Sequence, residues 1–170
     1  HESIAQKRLA SSMLFVGPSG TGKKKVALGI AQALICETSA VGCGECGSCV
    51  RVEVGQSESV LLIEPVNTGI KIEQSRDVIQ FLNLRKIGRA RVVILDQAHL
   101  LNPQAANALL KSIEEPPSGS YFILISSQAG SLMPTIRSRV QTIRFQPLSR
   151  EVIKEITQAE DWILDSCQGS

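Results

Sequence analysis

The stretch "MLFVGPSGTGKKK", Met13 to Lys25, decides the fold. A strand-sized apolar run ends at Gly17, a turn carries Gly20 and Gly22, and a segment with Val26, Leu28, Ile30, Ala33 and Leu34 at roughly helical spacing follows to Cys36. Strand, glycine-rich turn and helix are the context in which the pattern G-x-x-x-x-G-K-[ST] forms a phosphate cradle. The glycines let backbone N–H groups converge on phosphate oxygens, the helix contributes its positive end, and Lys23 reaches the terminal phosphates. The last position of the pattern calls for Ser or Thr, whose hydroxyl holds the Mg²⁺ bridging the outer phosphates. Lys24 stands there instead, and neither Ser19 nor Thr21 replaces the hydroxyl. An ammonium offers donors only and repels a divalent cation. A glycine-rich turn with no ligand is the alternative reading of the loop.

Working outward, further strand-like runs occur at 60–65 ("VLLIEP"), 91–96 ("RVVILD"), 121–126 ("YFILIS") and 140–145 ("VQTIRF"). Between them, 73–87 carries Val78, Ile79, Leu82 and Leu84 at helical spacing, and 104–114 follows Pro103 and stops before Pro116. Four or five strands separated by helices imply an α/β fold, with a mostly parallel sheet covered on both faces. After Phe145, "QPLSREVIKEI" reads as a linker and a new helix, with Ser149 as its N-cap. The expected division is a core over 1–147 and the start of a second, helical domain over 148–170.

Length and charge bound the function. The 170 residues suffice for one full domain and the start of another, and a formal charge of +2 is too small to argue for nucleic acid as a polyelectrolyte partner, so charge alone is silent. No apolar run has the roughly 18 residues that span a bilayer, so the expectation is a soluble, cytoplasmic protein without a membrane partner. The start, "HESIAQKRLA", has no apolar leader core, and it lacks an initiating Met.

Cys36, Cys43, Cys46 and Cys49 crowd one window with the spacing C-x6-C-x2-C-x2-C, and Cys167 stands apart. Beside a phosphate loop, which points to a reducing compartment, four thiols at this spacing suit a tetrahedral structural zinc. Disulfides, free thiols and an iron–sulfur cluster are the alternatives. Four sulfurs leave no coordination position for water, so a catalytic role for this metal is not expected.

The run "RVVILDQAH" ends an apolar strand in Asp96, where a carboxylate would sit beside the metal of a nucleotide site, although a strand-end cap is an equal reading. The following position holds Gln97, a neutral amide, where many ATPases have a glutamate base; the loss of a general base is about 10² to 10⁴ in rate. His99 reads as a packing residue.

Taken together, "GPSGTGK", the Cys cluster after the next helix, "RVVILDQAH", "NPQAANALLKSIEEPPSGSYFILISS" and "PTIRSRV" resemble, in this order, the clamp-loader subunits of bacterial DNA polymerase III, which are AAA+ proteins. The resemblance covers about residues 3 to 150. It implies a five-stranded AAA+ P-loop core with the zinc module inserted at about 36–49, a small helical lid domain beginning near Leu148, and a C-terminal collar domain that the sequence lacks. Within that family the gamma and tau subunits are working ATPases with different residues at the two altered positions, whereas the delta prime subunit has a degraded nucleotide site and keeps its zinc module. The resemblance maps Arg139, in "SRV" where the family has "SRC", onto an arginine finger that reaches a neighbouring subunit's ATP. It maps Ser127 onto the family's sensor position. The implied nucleotide site, vestigial here, comprises Gly17, Gly20, Gly22, Lys23, Lys24, Asp96 and Ser127.

The expectation is therefore a non-catalytic, delta prime-like subunit of the DNA polymerase III clamp loader. Its partners would be the gamma or tau and delta subunits and, through the complex, the sliding clamp and primer-template DNA. A hydrolysing gamma- or tau-like ATPase and a nucleotide-binding adaptor outside replication are the rivals, and ATP or ADP binding without turnover stays open. Arg137 and Arg144 read as surface charges. The basic run Arg85 to Arg91 reads as a solvated loop, with DNA phosphate contact as the alternative.

Overall fold

A computed structural model of the chain describes residues 9–84 and 88–147. The expected lid helix and Cys167 lie outside the described residues. Five strands form one sheet: β1 (Ser12–Val16), β2 (Val60–Ile63), β3 (Arg91–Leu95), β4 (Ser120–Ser126) and β5 (Gln141–Arg144), in the order β2-β3-β4-β1-β5, with every pair parallel. All five runs read from the sequence are strands. The helices are α1 (Lys23–Ile35), α2 (Gly47–Glu53), α3 (Ile72–Asn83), α4 (Pro103–Glu114) and α5 (Pro134–Arg137).

Strand order and handedness assign the helices to faces. Parallel strands joined by right-handed crossovers place α1 on one face, because β1 to β2 moves in one direction along the sheet; the later connections move the other way and put α3, α4 and α5 on the opposite face. The core divides accordingly. Met13, Phe15, Val92, Ile94, Ile123 and Ile125 face Ala27, Ala31 and Ile35 of α1 and Val52 of α2. Leu14, Val93, Leu95, Phe122 and Leu124 face Val78, Leu82, Ala106, Leu109, Ile113 and Ile136. Alternate residues of one strand thus serve two cores, which is why these strands read as unbroken apolar runs.

Two helices differ from expectation. In α1 the buried row is Lys23, Ala27, Ala31 and Ile35, with Ala33 beside it, and Val26 is exposed. Small side chains at every fourth position let the helix lie close to the sheet, so the larger apolar residues end up at the margins. Helix α3 stops at Asn83, and Leu84, expected in its apolar face, is an extended and exposed C-cap. Helix α4 is capped as its sequence suggests: the Asn102 side chain accepts from the Ala105 N–H at 2.7 Å and Pro103 occupies the first turn. The short helices α2 and α5 have too few residues for a periodic signal, and the sequence reading did not anticipate them.

Candidate functional site

The C-terminal edge of the sheet is where parallel α/β folds place ligands. The loop after β1 lies there, together with Glu64 after β2, Asp96 after β3 and Ser127 after β4. Gly20 and Gly22 adopt φ of 80° and 77°, conformations that side-chain-bearing residues rarely take. Gly17 is required for a different reason: a Cβ there would stand 2.3 Å from the Phe145 carbonyl oxygen. The β1 and β5 ends meet at this point, with the Phe145 N–H donating to the Val16 carbonyl at 2.6 Å.

Lys23 is buried, and its ammonium folds back into the loop. It donates to the carbonyls of Gly17 (2.8 Å) and Pro18 and to Thr21 Oγ1 (3.1 Å). Burial pushes its pKa down, opposed in part by the Asp96 carboxylate. The Thr21 hydroxyl in turn donates to the Pro18 carbonyl at 2.9 Å. The loop is thus closed by its own polar groups.

Lys24 lies between two carboxylates. Its Nζ is 2.6 Å from Glu64 Oε1 and 3.6 Å from Asp96 Oδ2. The hydrogen bond to Glu64 is the main cause of its raised pKa, so the ammonium stays charged at neutral pH. The donor set does not fit a divalent ion here: the residue facing Asp96 from the loop is a cation with no lone pair, and Thr21 is engaged within the loop. Glu64 escaped the sequence reading, although a carboxylate directly after a strand of a parallel sheet was the available signal.

Gln97 takes the left-handed conformation (φ 50°, ψ 46°), with its N–H donating to Asp96 Oδ1 at 2.9 Å. Its exposed amide carries no carboxylate, so no base stands at this position. Nδ1 of His99 is 3.2 Å from Oγ of the buried Ser126, and burial lowers the His99 pKa. The structure thus joins Ser126 to His99, as packing would require, while the neighbouring Ser127 is exposed just beyond β4.

The four cysteines of the cluster come together with their sulfurs within 4.8 Å of one another. Cys36 and Cys46 are 3.9 Å apart and Cys43 and Cys49 4.0 Å. A tetrahedron with metal–sulfur bonds of about 2.3 Å has edges of roughly 3.8 Å, so the arrangement fits a four-thiolate metal ion. The Cys46 N–H donates to the Cys43 sulfur at 3.2 Å, as expected of a turn wrapped around a thiolate. A bond from Thr38 at 3.4 Å lowers the Cys36 pKa to about 5, and burial pushes Cys49 up to about 12. None of the four is disulfide-bonded.

Arg139 lies elsewhere. The register pairs Met13 with Gln141 and Val16 with Arg144, so β5 begins beside the start of β1, and Arg139 precedes it at the N-terminal edge of the sheet. The cradle is at the other edge, about 13 Å away along a four-residue strand. Arg139 is exposed and bonded to Glu114 and to the Thr135 carbonyl. Arg137 and Arg144 are exposed as expected. Of the basic run, Arg89 donates to the Cys36 carbonyl at 2.8 Å, and the buried Arg91 donates to the Leu82 carbonyl at 2.8 Å with its guanidinium over the Phe81 ring. These two arginines tie elements together. Residues 85–87 lie outside the described residues.

Among the described residues no helix is long and apolar enough to cross a membrane.

Comparison with known proteins gives this geometry a context. The profile of the family described as "DNA polymerase III, delta subunit" matches residues 1–149. The DNA polymerase III subunit delta' of Pseudomonas aeruginosa is 38% identical over 135 residues, covering 76% of this chain and 41% of that protein. The delta' subunit of Bacillus subtilis is 35% identical over 157 residues (91% and 48%), and the tau subunit of the same organism is 35% identical over 155 residues (89% and 27%). The chain therefore spans less than half the length of these relatives. Among solved structures, a DNA polymerase III gamma subunit-related protein of Thermotoga maritima superposes with a TM-score of 0.70 at 20% identity, over 98% of this chain and 52% of that one. The RuvB Holliday junction branch migration motor of the same organism does so with a TM-score of 0.56 at 18% identity, over 96% and 47%, which shows a shared fold. With a family profile spanning nearly the whole chain and relatives of 35–38% identity beside it, this chain belongs to the clamp-loader subunits of DNA polymerase III, the family that includes delta prime and tau/gamma.

Proposed function

We propose that this chain is a delta prime-type, non-catalytic member of the clamp loader, which assembles with gamma or tau and delta subunits and offers Arg139 to a neighbour's ATP. The observation that carries the reading is the position of Lys24, whose ammonium lies against Asp96 where a hydrolysing site needs a metal ion and its hydroxyl ligand. Gln97 adds to it, because an amide cannot accept the proton of an attacking water. The location of Arg139 supports action in trans: it lies on the sheet edge opposite its own cradle, so a phosphate that it meets belongs to another molecule. A guanidinium presented in this way is worth about 10³ to 10⁵ in rate. The cysteine cluster holds a structural zinc, and the protein works in the cytoplasm on a clamp and primed DNA that the complex brings together.

A hydrolysing gamma- or tau-type role has one observation in its favour. The delta' and tau subunits of Bacillus subtilis are equally similar to this chain, at 35% identity each. Identity does not separate the two roles; Lys24 beside Asp96 favours the non-catalytic one. Steady-state hydrolysis of Mg-ATP by the purified chain decides between them: the proposal expects none, and turnover of about 1 s⁻¹ or faster establishes the rival.

A further inference from the structure

The family's nucleotide chemistry uses a divalent ion, and the residues of this cradle do not accommodate one. Three charged groups from three elements meet at the cradle: Lys24 in the first turn of α1, Glu64 after β2 and Asp96 after β3. The Lys24 ammonium is within 2.6 Å of one carboxylate and 3.6 Å of the other, so it already satisfies the strand-end acids that would otherwise recruit a metal. It is also tethered to the helix whose N-terminus completes the loop, and it cannot dissociate as a bound ion does.

We propose that Lys24 is the resident counter-cation of this cradle, with Glu64 and Asp96 as its positioning residues, and that the loop takes a nucleoside diphosphate as the metal-free anion. A divalent ion at the outer phosphate would stand within a few ångströms of the ammonium, and the two like charges repel in a site partly removed from water. The phosphates instead find their positive charge on Lys23, once it turns out of the loop, and on the N–H groups of the turn, while Lys24 offsets the two acids that would otherwise repel them. The raised pKa of Lys24 is consistent with this role, since the charge persists through neutral pH. The proposal rests on the non-catalytic reading and deepens it, because a site with a built-in monovalent cation retains diphosphate without activating a water.

The test uses the full chain and ADP as probe, titrated by calorimetry in EDTA and again with excess Mg²⁺. The expected result is one site whose affinity is the same in both buffers, within about twofold. Lys24→Thr should bind ADP at least about tenfold more tightly with Mg²⁺ than in EDTA, and Lys24→Met, which leaves the two acids unneutralised, should weaken ADP in EDTA by at least about tenfold. Circular dichroism on both variants establishes that they are folded, and the second keeps the proposal testable if the first is not. Affinity of the natural chain that rises about tenfold with Mg²⁺, or no binding of ADP in EDTA at millimolar concentration, overturns it. Either failure leaves the non-catalytic reading standing, since that is decided by ATP turnover.

Discussion

Arg139 is held by Glu114: its Nε donates to the carboxylate Oε2 at 2.7 Å, while Nη1 donates to the Thr135 carbonyl at 3.0 Å. Glu114 is the last residue of α4 and Arg139 lies just before β5, so two elements of one face fix a guanidinium that solvent still reaches. An exposed pair of this kind contributes about 0.2–1 kcal/mol to folding. Its role is to orient the side chain. Arg139→Ala should therefore leave the melting temperature within a few degrees of the natural chain. The same variant, assembled with partner ATPase subunits, should slow ATP hydrolysis by about 10³-fold, and an unchanged rate refutes the finger.

Glu114→Gln probes the anchor separately. The amide keeps the shape and loses the charge, so Arg139 becomes less constrained, and hydrolysis by the assembled complex should fall by a smaller factor than with Arg139→Ala. A drop as large as that of Arg139→Ala would mean that Glu114 does more than position the arginine.

Metal analysis of the chain should give about one zinc per molecule, with an absorption-edge spectrum of four sulfur ligands. Because thiolates bind metal and thiols do not, affinity should fall as the pH is lowered and the protons compete. Replacing Cys49, with Cys36 the most deeply buried thiol of the cluster, by Ser should abolish binding and loosen the segment between α1 and β2. Oxygen or nitrogen ligands in the natural chain would overturn the four-thiolate assignment.

The alanine row of α1 predicts an asymmetry. Ala31→Leu puts a branched side chain into a fully buried site between the helix and the sheet and should cost about 1–3 kcal/mol. Val26→Ala, on the exposed side of the same helix, should change stability by less than about 0.5 kcal/mol. Equal effects in urea titrations would mean that the helix packs on its other face.

Gly17→Ala should destabilise the chain far more than Gly22→Ala does through contacts, because the new methyl meets the Phe145 backbone at Gly17 and nothing within 4 Å at Gly22. Gly22 carries its own cost, strain at φ 77° of about 1–2 kcal/mol. Thermal denaturation of the two variants separates steric from conformational loss.

The sheet was legible because each strand is buried on both sides and reads as one apolar run, as "RVVIL" and "YFILI" do. The strand, glycine-rich turn and helix at 13–35 and the gathering of the four thiols were legible because both depend on spacing along the chain. Which face of α1 is buried was not, since alanine carries too weak an apolar signal to outvote Val26 and Leu28. Glu64 was missed for a related reason: its partner Lys24 is 40 residues away, and only the sheet brings the two together. The same holds for Glu114 and Arg139.

The position of β1 has a consequence for how the chain is made. Both neighbours of β1 lie far along the described sequence, β4 at 120–126 and β5 at 141–144, so β1, made before the other four described strands, waits unpaired until β4 follows. Met13, Leu14 and Phe15 then stay exposed until more than a hundred further residues have been made, and contacts this distant in sequence form slowly. Gly17 comes to rest against Phe145 only when β5 docks. The cradle, although it follows the first of the five strands, is therefore finished only after β5 has been made.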